Sequence, residues 1–141
     1  KADAFNDESL IYSSDFLRTR ETAQIISETL GIAVVLDERL RERFFGDWEG
    51  KPHANYSNAW KHDLFDPTQE SHGAESSSSV QKRMWSVIQS LEKLHHEKTI
   101  LLVSHGDPLM LLQTAFRNLG PERHRSLPYI ETAAWRKLNP C

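Results

Sequence analysis

The segment Thr99-Ile100-Leu101-Leu102-Val103-Ser104-His105-Gly106 constrains the fold of this chain more than any other. Its apolar, partly β-branched opening reads as a buried parallel strand. The run stops on a histidine and a glycine, and Asp107-Pro108 leads into a second apolar run, Leu109 to Phe116. That order predicts strand, tight turn and helix, with the helix starting near Pro108, since proline suits the first helical position. In open α/β sheets, ligands gather at the carboxyl ends of the strands. A helix N-terminus there offers unpaired N–H groups to an anion. His105 is therefore placed to touch a phosphate. The alternative is a strand-end histidine hydrogen-bonded to a neighbouring loop.

The rest of the chain repeats this alternation. Leu10-Ile11-Tyr12 is a short strand candidate, and Ser13-Ser14-Asp15 after it supplies good helix caps. Thr22, Ile25, Ile26, Thr29 and Leu30 recur at helical spacing and predict one helix face. Gly31 stands where a glycine ends a helix, and Ile32 to Leu36 reads as a second strand. Residues 37–75 are irregular, with one short helix expected over Tyr56 to Asp63; the aromatics Phe44, Phe45, Trp48, Tyr56, Trp60 and Phe65 argue against disorder. Ser76 to Ser79 forms the first turn of the clearest helix, whose apolar stripe is Val80, Met84, Val87, Ile88, Leu91 and Leu94. Glu131 to Leu138 is a candidate final strand. Strands alternating with helices predict an α/β class with a mainly parallel sheet.

The chain of 141 residues suits one domain, 1–141, able to bury about 70% of its unfolded surface. A net charge of -3 with interspersed signs favours neither nucleic acid nor an anionic membrane surface. The apolar runs are too short to span a bilayer, and no signal-peptide pattern opens the chain. The single cysteine, Cys141, allows no internal disulfide and no cysteine-based zinc site, so a reducing, cytoplasmic setting is expected. No metal-ligand spacing such as His-Glu-x-x-His occurs.

Three polar segments punctuate the strands. Arg18 falls in the first turn of its helix, where a guanidinium could fork onto a phosphate, or simply face solvent. Glu42 sits among arginines and aromatics, as a surface salt bridge or a tuned acid. His105 is the third. A serine-hydrolase reading of Ser104-His105 fails because no Gly-x-Ser-x-Gly elbow is present. Four motifs occur in order: Tyr12-Ser13-Ser14-Asp15-x-x-Arg18-x-x-x-Thr22-Ala23, Leu40-x-Glu42-x-x-x-Gly46-x-Trp48-Glu49-Gly50, Gly73-x-Glu75-Ser76 and Val103-Ser104-His105-Gly106. Each is weak alone. As an ordered set covering nearly the whole chain, they resemble the histidine phosphatase superfamily, the phosphoglycerate mutase-like proteins.

The resemblance implies a three-layer αβα fold with a mainly parallel sheet. It implies that Arg18 clamps the phosphate, that Glu42 gives a proton to the leaving alcohol, and that His105 steadies the transferring phosphoryl group. Gly106 lets the backbone approach. Arg18, His105 and Gly106 would bind a phosphorylated small molecule, with no metal and no cofactor. Glu75 matches a position near the pocket and is given no chemical role, and Thr19 and Glu21 depart from the usual pattern without touching the chemistry. Phosphoryl transfer needs alignment and positive charge on the equatorial oxygens, which Arg18 and His105 supply. An acid must be partly protonated, so desolvation by Phe44, Phe45 or Trp48 should raise the Glu42 pKa. Arg41 and Arg43 are expected to point away from it.

The family's nucleophile is a histidine in an Arg-His-Gly motif at the end of its first strand. No such motif occurs in this chain. The resemblance thus implies a domain lacking the first strand and most of the first helix, with the nucleophile outside these 141 residues. The absent strand is expected to be central, its loss leaving unpaired edges and a gap in the core. His53, His62, His72, His95, His96 and His124 end no strand and are expected at the surface. The implied activity is hydrolysis of a phosphate monoester through a phosphohistidine, because the segment from Gly50 to Glu75 is short for a mutase. A phosphoglycerate mutase and a catalytically inactive scaffold are the alternatives.

Overall fold

A computed structural model describes residues 8–51, 56–131 and 134–138. The chain forms two compact units, Lys1–Arg41 with Ser86–His105, and Glu42–Trp85 with Gly106–Cys141.

The first unit carries the sheet. Strands β1 (Leu10–Ser13), β2 (Val34–Leu36) and β3 (Ile100–Val103) lie in the order β2-β1-β3 and are all parallel. Ile11 is in register with Val34 on one side and Leu101 on the other. Strand β1 pairs directly with both neighbours, so continuous ladders satisfy its backbone. Among the described residues β3 pairs only with β1, and all four of its residues are half-buried.

Helix α1 (Leu17–Leu30) packs on one sheet face. Ala23, Ile26 and Leu30 meet Ile11, Ile32, Val34, Leu101 and Val103. The inward face is therefore rotated from the one predicted. Thr22, Ile25 and Thr29 face solvent, and the two threonines donate back to the carbonyls of Arg18 and Ile25. Burial chose the smaller Thr19 and Ala23, which let the helix approach the sheet closely. The polar cap also differs: Phe16 occupies the N-cap position without a side-chain bond. Ser14 lies just past β1, its N–H donating to the Val103 carbonyl. At the other end Gly31 adopts φ 70°, ψ 30° and its N–H donates to the Ser27 carbonyl, the left-handed stop that glycine supplies without a Cβ penalty.

Helix α3 (Ser77–Leu94) begins on the serine run, with Ser76 Oγ accepting from the Ser79 N–H. Its predicted stripe is buried at Val80, Met84, Val87 and Leu91, whereas Leu94 is exposed. Beyond it, His95 meets the Tyr12 hydroxyl at 3.3 Å.

The second unit contains α2 (Tyr56–Phe65), α4 (Gly106–Phe116) and a 3-10 turn, Pro121–Ser126. Phe45, Trp48, Ala59 and Ala74 form its small aromatic core, with Tyr56 stacked on Phe45 at 4.1 Å. Phe44 and Phe65 are exposed. Helix α4 starts directly after His105, two residues earlier than expected. Pro108 is tolerated there because first-turn N–H groups have no intrahelical partner. Residues Met110 to Thr114 are all buried, so α4 is enclosed on every side. Among the described residues of the expected final strand, Glu131 and residues 134–138 are irregular and form no strand, and residues 132–133 lie outside the described residues. No helix among the described residues is long and apolar enough to cross a membrane.

Candidate active site

The first unit brings two of the proposed residues into contact. His105 follows the end of β3, and Arg18 lies in the first turn of α1, whose start is tied to the sheet by Thr19 donating to the carbonyls of Ser14 and Phe16. Arg18 Nη2 donates to His105 Nδ1 at 3.0 Å. A guanidinium has no acceptor, so Nδ1 holds a lone pair and Nε2 carries the hydrogen. That N–H points at Ser14 Oγ, 2.8 Å away. Phe16 stands edge-on to the imidazole at 5.3 Å, and the ring is buried at 6% exposure. His105 is thus held at both nitrogens and one ring edge. Ser104 next to it donates to the Leu40 carbonyl at 2.7 Å, fastening the strand end to the segment before Glu42.

Arg41 makes a bidentate pair with Asp15 at 2.6 and 2.7 Å. The Asp15 carboxyl is held below its usual value chiefly by that bond. Arg39 is spent on Asp37 and on Ser86 and Ser90 of α3.

The second unit holds Glu42. Its Oε1 accepts from the Arg43 N–H at 2.8 Å, and its carbonyl accepts from Arg83 at 3.2 Å. Glu42 lines a pocket of about 220 Å³ with Phe45, Tyr56, Trp60, Gly106, Asp107, Arg125 and Tyr129. A Cβ on Gly106 would meet the Tyr129 hydroxyl at 3.1 Å. Phe45 is buried and shares this pocket with the acid, Trp48 is buried, and Phe44 turns to solvent. Glu75 pairs with Arg83 at 2.8 Å and accepts from the Phe44 N–H, a bracing role.

Arg43 enters the interior instead of solvent. Fully buried, it donates to Asp63 at 2.6 and 3.0 Å and lies 3.5 Å from Asp107. Gln69 and His124 Nε2 also donate to Asp63, at 2.9 and 3.1 Å. Burial pushes the Asp63 carboxyl up, but these donors outweigh it and bring it down to about 2. Burial lowers the Arg43 pKa, and the Asp63 carboxylate more than reverses this. His124, expected at the surface, is buried because the 3-10 turn carries it against α2 to satisfy Asp63; its Nδ1 has no hydrogen-bond partner among the described residues. His62, His72 and His96 are exposed as expected, and His95 is half-buried. His53 and Cys141 lie outside the described residues. No cluster of three metal-ligating side chains occurs among the described residues.

Sequence reasoning missed Ser14, Asp63, Asp107, Trp60, Arg125 and Tyr129. Only Ser14 carried a signal, its place in the strand-end motif opposite a second strand-end residue.

The family described as the histidine phosphatase superfamily, branch 1, matches residues 2–140. Glucosyl-3-phosphoglycerate phosphatase of Mycobacterium tuberculosis is 31% identical over 145 residues, covering 92% of this chain and 64% of that protein. The native structure of a mycobacterial glucosyl-3-phosphoglycerate phosphatase superposes with a TM-score of 0.76 at 31% identity, over 88% of this chain and 65% of the other. Bacillus stearothermophilus YhfR gives a TM-score of 0.72 at 34% identity, over 86% and 63%. The chain therefore spans less than two thirds of the length of each of these proteins. With its α/β fold, parallel sheet and four ordered motifs, it belongs to the histidine phosphatase superfamily.

Proposed function

We infer that the protein hydrolyses a phosphate monoester of a small molecule through a phosphohistidine, the nucleophile being a histidine outside these 141 residues. The observation that supports this best is the pairing of Arg18 with His105 at 3.0 Å at the carboxyl end of a parallel sheet. In this reading a phosphoryl group takes donors from Arg18 and His105, so that charge on its equatorial oxygens is met by prepositioned positive groups. Glu42 hands its proton to the leaving oxygen, and Gly106 keeps the start of α4 open to the substrate. Arg41 and Arg43 are each neutralised by a carboxylate of their own, which leaves them little means of holding Glu42 ionised. The similar proteins include both phosphatases and probable phosphoglycerate mutases; the short segment from Gly50 to Glu75 favours hydrolysis. The nearest competitor is a non-catalytic family member that binds phosphorylated ligands.

Steady-state hydrolysis of a panel of phosphate monoesters tests this. General acid catalysis supplies about 10²–10⁴-fold, so Glu42→Gln should lower kcat at least about tenfold on esters of poor leaving groups. It should spare p-nitrophenyl phosphate, whose leaving group needs no proton. An equal, small effect on both removes Glu42 from the acid role. Activity that survives His105→Ala removes the site from this end of the sheet.

A further inference from the structure

Residues 42–44 are clamped from two sides, and every member of the clamp belongs to the second unit. Glu42 Oε1 accepts from the Arg43 N–H at 2.8 Å, so the carboxyl follows the backbone of residue 43. The Arg43 guanidinium is fully buried and bonded through all three nitrogens. Nη1 and Nη2 donate to Asp63 of α2 at 2.6 and 3.0 Å, and Nη1 lies 3.5 Å from Asp107 at the start of α4. Nε donates to the Glu75 carbonyl at 2.8 Å. Glu75 grips the following residue as well. Its N–H donates to the Phe44 carbonyl at 2.7 Å, and its Oε1 accepts from the Phe44 N–H at 3.2 Å. Arg83 closes the ring, donating to the Glu75 carboxylate at 2.8 Å and to the Glu42 carbonyl at 3.2 Å.

Building on the phosphatase reading, we propose that Arg43 and Glu75 are positioning residues: together they aim the Glu42 carboxyl and fix which of its oxygens carries the proton. A protonated carboxyl has one O–H and one carbonyl oxygen. The Arg43 N–H engages Oε1, so Oε1 is the carbonyl oxygen and the proton resides on Oε2. As the phosphoryl group passes to the nucleophile, the electron pair of the breaking P–O bond stays on the leaving oxygen, which takes the Oε2 proton. Glu42 is left as a carboxylate still bonded to the Arg43 N–H. A buried ion pair is a weak source of net stability against an apolar replacement. What Arg43 and Asp63 deliver is geometry, since α2 and the backbone at Glu75 both hold one guanidinium. A proton is passed only within about 2.6–3.2 Å, and a misplacement of about 1 Å can cost about 10²-fold.

An NMR pH titration, which needs no turnover, should show the Arg43 amide proton following the ionisation of Glu42 and losing that response in Glu42→Gln. Arg43→Lys keeps the amide and the charge but not the fork, and it should lose the response too. In steady-state hydrolysis Arg43→Lys should lower kcat on an alkyl phosphate about tenfold more than on p-nitrophenyl phosphate, with KM unchanged. A merely unfolded fraction lowers both substrates alike. A native amide that ignores Glu42, a response that survives Arg43→Lys, or equal losses on the two substrates overturns the proposal. Glu75→Ala, at a half-buried position, should move both readouts in the same direction and decides the matter if Arg43→Lys does not fold; unchanged readouts there overturn the proposal as well. If Glu42→Gln leaves the ratio between the two substrates unchanged, the acid role falls, while the amide titration still decides the clamp.

Discussion

Arg18 and His105 meet at 3.0 Å as donor and acceptor, so the imidazole keeps its hydrogen on Nε2 and aims it at Ser14. The strand-end serine thereby fixes which tautomer a phosphate would encounter. Nitrogen-15 shifts of His105 should report Nε2–H. Ser14→Ala leaves that buried N–H without its acceptor and should lower stability by about 1–3 kcal/mol. It should also allow the Nδ1–H form to be populated. A native protein already in the Nδ1–H form would contradict the assignment.

Arg18 is exposed, with its guanidinium on His105 and over the Phe16 ring, so it contributes little to the fold and much to an anion. Arg18→Ala should leave the urea midpoint nearly unchanged. Charged hydrogen bonds are worth about 1.5–3 kcal/mol, so inorganic phosphate should bind about 10–100-fold more weakly by phosphorus NMR titration. Arg18→Lys should recover only part of this, because an ammonium lacks the planar fork.

Asp63 makes acid stability a local property. Its carboxyl is lowered from 3.8 to about 2 in the folded protein. The stabilisation is therefore complete above pH 4 or so and disappears as the pH falls towards 2. The difference amounts to ~2 kcal/mol. Urea midpoints measured from pH 5 to pH 2 should decline across that window, and Asp63→Asn should flatten the decline. The same substitution leaves Arg43 buried with its charge largely uncompensated, and should cost about 3–5 kcal/mol at neutral pH.

Two glycines with left-handed backbones should respond unequally to alanine. At Gly31 (φ +70°) an added Cβ meets nothing within 4 Å, so only the conformational penalty of about 1–2 kcal/mol applies. At Gly46 (φ +59°) the Cβ would lie 2.2 Å from the His72 carbonyl oxygen and 2.6 Å from the Ala74 nitrogen. Both are backbone atoms that cannot swing aside. Gly46→Ala should lower the melting temperature well beyond Gly31→Ala, and equal shifts would show that the Gly46 turn can relax.

Much of the fold was legible because it is written in local patterns. The strand and helix positions followed from β-branched runs, from the stripe Val80, Met84, Val87 and Leu91, and from Gly31. Helix orientation was not, as α1 shows. Its apolar repeat pointed to Thr22, Ile25, Ile26, Thr29 and Leu30; the sheet accepted Ile26 and Leu30 of these, with Thr19 and Ala23 buried in place of the rest. Periodicity gives a helix a face, but the surface it meets decides how that face is turned.

The sequence by itself determined the class and the order of the main strands and helices, and it nominated Arg18, Glu42, His105 and Gly106 as candidates, since an ordered set of motifs is a linear property. Tertiary structure alone decided that Arg18 and His105 touch, that Ser14 takes the other imidazole nitrogen, and that Arg43 and His124 are buried on Asp63 while Arg125 stays at the pocket. In the sequence Arg41, Arg43 and Arg125 are alike, charged residues in irregular polar segments. Only a carboxylate approaching from 20 or more positions away, Asp15 for Arg41 and Asp63 for Arg43, with none within hydrogen-bond range of Arg125 among the described residues, tells the three apart. Such partners are fixed by packing across large sequence separations, which no local spacing encodes.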